Sequence, residues 1–170
     1  MKYHKTAIEE VIVFQPDVHS DERGCFFESF IENYFNEIVG GIITFVQENQ
    51  SYSNKNVLRG MHYQISPMQQ GKLVRVVAGS VYDVALDIRK NSPSYGKWVS
   101  EILSGCNKKQ LWIPAGFAHG FLSLEDNTQV IYKTTNYYSK EHEEVIRYDD
   151  SAFNISWPFK DLPIQSIKDS

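Results

Sequence analysis

Thiols are scarce in this 170-residue chain: Cys25 and Cys106 are the only two. They lack metal-type spacing, and two scattered cysteines fit a reducing compartment better than a disulfide scaffold. Long apolar runs are missing as well. Met1 to Lys5 leads into none, so the sequence predicts neither a signal peptide nor a membrane span and reads as cytoplasmic. Positive charge is short: 17 Lys and Arg stand against 21 Asp and Glu, for a net charge of -4. That balance argues against nucleic-acid binding and obliges an anionic ligand to find a local cationic pocket. Neither a Walker loop nor a GxGxxG fingerprint occurs, so a bound nucleotide must be held by side chains and loops. No repeat, low-complexity tract or linker divides the chain, and residues 1–170 read as one domain.

Aromatic residues, by contrast, make up 14% of the chain, a β-rich composition. Short apolar or alternating runs are separated by Gly, Pro, Asn and Asp turns. Strands are predicted over Glu10 to Pro16, Cys25 to Phe30, Ile42 to Asn49, Val57 to Gln64, Lys72 to Val77, Val81 to Arg89, Lys97 to Leu103, Gln110 to Ile113, Phe117 to Phe121 and Thr128 to Thr135. Ser51 to Asn56 reads as a polar loop, and Lys140 to Glu144 as a charged turn. One helix is expected at Ile31 to Ile38, where apolar residues at 31, 34, 35 and 38 share a face and Gly40-Gly41 follows. Many short strands without alternating long helices indicate an all-β sandwich or barrel.

The most informative stretch is Val57-Leu58-Arg59-Gly60-Met61-His62-Tyr63-Gln64. Strict alternation would send Arg59 and His62 to opposite faces. Gly60 can relax that rule by marking a bulge or a close backbone approach. With both side chains in one cavity, a fixed cation would stand beside a group that titrates near neutrality. A second histidine, His119, lies in the Gly-flanked apolar stretch Phe117-Ala118-His119-Gly120-Phe121. Asp83, Ala85 and Asp87 alternate onto one face of their strand.

Taken in order, these blocks resemble the dTDP-4-dehydrorhamnose 3,5-epimerase family of cupin-like dTDP-sugar epimerases. The resemblance runs from Arg23 to Asp169. Its carriers include Arg23-Gly24 with Glu28, Gln47-Glu48-Asn49, the octet above, Gly71 to Arg75, Asp83-Val84 to Arg89, Ile113 to Phe121 and Tyr132 to Thr135. Tyr137-Tyr138-Ser139, Trp157-Pro158 and Ser166 to Asp169 complete the set. One departure is Arg147-Tyr148-Asp149-Asp150, where family members more often carry Trp before the acidic pair.

The resemblance implies a cupin-type jelly roll with one or two short helices. It also implies a homodimer without cofactor, acting on a dTDP-linked 4-keto-6-deoxyhexose. Carbons 3 and 5 of that sugar flank the ketone, so inverting them needs a base, an enolate stabiliser and an acid on the opposite face. His62 is the expected base. Asp169, by family match, is the carboxylate that orients it. Tyr132 is the expected acid and Lys72 the cation at the 4-oxygen. Arg23 and Arg59 suit the diphosphate. Gln47, Asn49, Glu28, His119, Tyr138, Glu143 and Lys168 match further substrate-binding positions.

A cupin metal site usually needs a His-x-His pair, and here the motif reads His62-Tyr63-Gln64. No metal is therefore expected. The rival readings are a 3-only epimerase or ketoisomerase on the same scaffold, a metal-dependent oxygenase, and a sugar-nucleotide binding module. The apolar run before Pro16 is an expected sheet edge for pairing with a second copy.

Overall fold

The computed structural model describes residues 1–169. Two sheets face each other. The first contains β1 (Lys2–Lys5), β2 (Ile12–Gln15), β5 (Gln47–Ser53), β7 (Lys72–Ala78), β10 (Gln110–Ile113) and β12 (Thr128–Thr134). Its order is β1-β2-β10-β7-β12-β5. The second contains β6 (Leu58–Gln64), β8 (Ser80–Asp87), β9 (Trp98–Ser104), β11 (Phe117–Ser123) and β13 (Glu143–Val145), in the order β13-β6-β11-β8-β9. A separate hairpin joins β3 (His19–Asp21) to β4 (Gly24–Phe26). The paired strands within both sheets are antiparallel, and the architecture is the expected all-β, cupin-like jelly roll.

Alternation along the strands divides the apolar residues into three layers. Val13, Val74, Val76, Leu111 and Val130 of the first sheet pack between the sheets against Val81, Ala85, Leu103, Phe117 and Phe121 of the second. On the outer side of the first sheet, Ile12, Phe14, Leu73 and Trp112 are covered by α1 (Glu32–Val39) and its flanks. An eight-residue helix is too short to persist alone in water. Tertiary contact holds it: Phe35 meets Trp112 edge-on at 5.2 Å, beside Phe30 and Phe45. Gly40 ends the helix in the left-handed region, φ 77°, where its N–H donates to the Asn36 carbonyl. On the outer side of the second sheet, Ile146, Phe153, Ile155 and Trp157 cover Met61, Val84, Leu86 and Ala118.

Several boundaries differ from the sequence-based expectation. The strand expected at Ile42 to Asn49 starts at Gln47 and continues through Ser53, so half of the expected polar loop is strand. Both faces of this edge strand are polar, and hydropathy therefore does not mark it. The strand expected at Cys25 to Phe30 stops at Phe26. The charged turn at Lys140 to Glu144 is interrupted at Glu143, where β13 pairs with β6. The run before Pro16 is not a free edge: β1 pairs with one side of β2 and β10 with the other. The edge of the sheet is the exposed β1 instead.

Candidate active site

The interior of the sandwich is hydrocarbon at one end and polar at the other. The polar end forms a cavity of about 290 Å³, joined through His62, Lys72 and Tyr132 to a smaller lobe of about 120 Å³.

How Arg59 and His62 both reach it is visible in the pairing of β6 with β11. His62 stands opposite His119, and Arg59 opposite Phe121, with a register shift between. Positions 119 and 121 share a face, so their partners do too, although these are three residues apart. One extra residue in β6 absorbs the difference, which is a β-bulge. Only glycine fits there: Gly60 has φ +114°, and a Cβ on it would lie 2.6 Å from the Gly120 Cα and the His119 carbonyl oxygen.

His62 is held from the far end of the chain. Its Nε2 lies 2.6 Å from Asp169 Oδ1, and its Nδ1 lies 3.7 Å from Glu143. The C-terminal segment that carries Asp169 is tied down by its backbone. Ile164 forms a parallel bridge with Val57, Leu58 N–H donates to the Ile164 carbonyl, and Ile164 N–H donates to Asn56. Asp169 is buried. Burial alone would raise its carboxyl, but the hydrogen bond and charge of His62 outweigh this and hold it below the ordinary value.

Lys72 opens β7 and points inward, only 7% exposed. Its ammonium donates to the His62 carbonyl at 3.2 Å. Burial pushes its pKa from 10.5 down to about 8, against the opposing pull of Asp83 and Glu143. His119 is also buried, and burial lowers its pKa while Asp83 opposes that shift. Both Asp83 oxygens lie 3.0 Å from His119 Nε2. A neutral imidazole so placed carries its proton on Nε2 and presents Nδ1 as an acceptor. Tyr132 lines both lobes, and burial raises its phenol pKa, so it stays protonated at neutral pH.

Towards the mouth, Lys168 pairs with Glu143 at 2.5 Å, and Tyr138 O–H donates to the same carboxylate at 2.6 Å. Burial would raise Glu143, but those two contacts lower it on balance. Gln47, Asn49, Tyr138 and Glu143 line the smaller lobe; Arg59, His119, Lys168 and Asp169 line the larger.

Arg23 and Glu28 line neither lobe. Arg23 sits on the β3–β4 hairpin, its side chain 86% exposed and paired with Asp21. Sequence reasoning overlooked Asp83, Ser51, Phe121 and Ser166 as neighbours of the site. In the sequence Asp83 alternates with Ala85 and Asp87 onto one face, and the structure turns that face inward. Among the described residues, no group of three His, Cys, Asp or Glu side chains forms a metal-holding cluster. Nor is any helix long and apolar enough to cross a membrane.

The family profile described as dTDP-4-dehydrorhamnose 3,5-epimerase matches residues 5–170. The chain belongs to the dTDP-4-dehydrorhamnose 3,5-epimerase family. A curated member from Salmonella typhimurium is 54% identical over 166 residues, covering 98% of this chain and 91% of that one. Among solved epimerases, dTDP-6-deoxy-D-glucose-3,5-epimerase from Legionella pneumophila, in complex with dTDP-4-keto-L-rhamnose, superposes with a TM-score of 0.95 at 49% identity, covering 99% and 89% of the two chains. A 3'-monoepimerase from Streptomyces bikiniensis, in complex with dTDP-quinovose, gives 0.92 at 31% identity, covering 98% and 84%. One epimerase scaffold thus serves members named for two centres and for one.

Proposed function

We propose that this chain epimerises carbons 3 and 5 of dTDP-4-dehydro-6-deoxy-D-glucose by removing and returning protons next to the 4-keto group. The observation that carries the reading is the Asp169–His62 pair on the wall of a cavity that also holds the buried Lys72 ammonium. His62 takes the proton from carbon 3 or carbon 5. The electron pair of the broken C–H bond moves onto the 4-oxygen, giving an enolate. A positioned base of this kind contributes roughly 10²–10⁴-fold. Lys72 faces the developing oxyanion, and in a water-poor cavity such a donor is worth about 3–4 kcal/mol. Asp169 stabilises the imidazolium that forms. Tyr132 then delivers its phenolic proton to the opposite face of the carbon. Exchange with solvent restores the phenol and the neutral imidazole, and the other centre follows in the same way.

Arg59 and Lys168 supply cationic charge for the diphosphate, which the acidic chain as a whole does not. Gln47, Asn49, Tyr138 and Glu143 hold the nucleotide end, and His119 takes a hydrogen bond from the sugar. We infer a homodimer: Arg23 and Glu28 lie outside their own cavity, on and beside an exposed hairpin with Phe26 69% exposed, and a second copy gives them a site to complete. Cys25 and Cys106 are free and exposed, which suits the cytoplasm. No cofactor is required for this chemistry.

Product NMR after turnover of dTDP-4-dehydro-6-deoxy-D-glucose in heavy water tests the reading. Deuterium at both carbon 3 and carbon 5 with the L-configured 4-keto sugar as product supports it. Exchange confined to carbon 3 replaces it with a 3-epimerase, and no exchange at either centre removes the enzyme.

A further inference from the structure

The extension of β5 past its expected end brings Ser51 onto the cavity wall. Alternation along β5 turns Gln47, Asn49, Ser51 and Ser53 to the same side. Its neighbours in this row are engaged. Gln47 Nε2 donates to Asn49 Oδ1 at 2.9 Å, and Ser53 Oγ accepts from Arg59 Nε at 3.1 Å. Ser51 Oγ is different. Among the described residues it is the one buried side-chain nitrogen or oxygen without a hydrogen-bond partner. Directly across the ladder stands the fully buried Val130, and Phe121 shares the cavity wall. Hydrocarbon offers the hydroxyl nothing, and a buried hydroxyl without a partner is unfavourable.

Two features connect this hydroxyl to a ligand and not to the fold. The cavity it borders carries Arg59, His62 and Lys72, the groups that meet the sugar diphosphate in the reading above. Arg59 is also fixed from behind by β5: its Nη2 donates to the Tyr52 carbonyl at 3.0 Å and its Nε to the Ser53 hydroxyl at 3.1 Å. Rotation about χ1 alone moves a serine oxygen between staggered positions, so an oxygen seated in the cavity comes within reach without backbone movement.

We propose that Ser51 is a substrate-binding residue whose hydroxyl hydrogen-bonds an oxygen of the glycosyl diphosphate, either a sugar hydroxyl or a phosphate oxygen. This inference rests on the epimerase reading and adds a specificity contact to it. The full-length Ser51→Ala variant tests it with three measurements: the melting temperature without ligand, the affinity for dTDP, and kcat/KM with dTDP-4-dehydro-6-deoxy-D-glucose. Since the hydroxyl has no partner to lose, the ligand-free variant melts no lower than the parent. Losing the ligand bond lowers kcat/KM about tenfold. A matching loss of dTDP affinity assigns the bond to a phosphate oxygen; unchanged dTDP affinity assigns it to the sugar. A lower melting temperature shows that the hydroxyl serves the fold and overturns the proposal, as does an unchanged kcat/KM. If the parent itself turns over no substrate, the epimerase reading fails and takes this inference with it, a result distinct from a silent variant of an active parent.

Discussion

Lys72 should make the protein less stable and more active at the same time. Its ammonium is buried, and its pKa is pushed from 10.5 to about 8, mainly by desolvation, with the attraction of Asp83 and Glu143 already included. That gap corresponds to about 3 kcal/mol of folding free energy. Below pH 8 both folded and unfolded chains hold the proton, so folding must bury a charge and the cost is present in full. Between pH 8 and pH 10.5 the unfolded chain keeps a proton that the folded chain has released, so stability rises with pH. Above 10.5 the cost is gone. Lys72→Met, similar in length and uncharged, is therefore expected to raise the unfolding free energy at pH 7 by up to about 3 kcal/mol. That advantage over the parent shrinks as the pH approaches 10.5. The same variant loses the proposed enolate stabiliser, so kcat should fall about 10²–10³-fold. In the parent, kcat/KM declines as the pH rises through about 8, where Lys72 gives up its charge. Urea unfolding of both proteins at pH 7 and 10, together with a pH–rate profile of the parent, measures every part of this. A variant less stable than the parent at pH 7 would refute the reasoning, and so would a parent profile that stays flat beyond pH 9.5, an upper bound about 1.5 pH units above the Lys72 value of about 8.

The other predictions concern the remaining roles. Asp169→Asn keeps the shape of the 2.6 Å contact with His62 but removes its charge. It should cost about 10- to 100-fold in kcat, the usual range for a hydrogen bond to a charged group, with dTDP affinity unchanged by calorimetry; a fall in dTDP affinity of the same size would contradict the assignment. Tyr132→Phe should depress inversion at carbons 3 and 5 alike, read from product NMR, and undiminished inversion at both centres would remove Tyr132 as the acid. Arg59→Ala should weaken dTDP binding about 10-fold or more, with a shallower dependence on salt than the parent, and an unchanged Kd would take Arg59 out of the diphosphate site.

Much of the barrel was legible because its strands have one apolar and one mixed face between clear breakers. β7, β10 and β12 fall within a residue or so of their expected spans. The strands that escaped share a different physics. β5 reads Gln-Glu-Asn-Gln-Ser-Tyr-Ser, with solvent on one face and the polar cavity on the other, so no hydropathy period marks it. Ending it at Asn49 hid Ser51. β1 and β13 are short edge strands without an apolar period; β1 pairs with the next strand, β2, while the partner of β13, β6, lies far back along the chain. The octet hinted through Gly60 that Arg59 and His62 could share a face, but the register of β6 on β11 is what puts them there. The Asp169–His62 contact spans 107 residues, and no local pattern encodes such a meeting. Only the family resemblance suggested it. The β3–β4 hairpin shows the converse: Arg23 and Glu28 were expected from the resemblance to bind substrate, yet within one chain they lie off the cavity.

The most direct measurement is solvent deuterium wash-in to dTDP-4-dehydro-6-deoxy-D-glucose, followed by proton NMR for the parent and for His62→Ala, with dTDP binding to the variant verified. The account predicts label at carbons 3 and 5 with the parent and its loss at both centres with the variant. Wash-in by His62→Ala at the parent's rate would contradict the claim that this imidazole is the base.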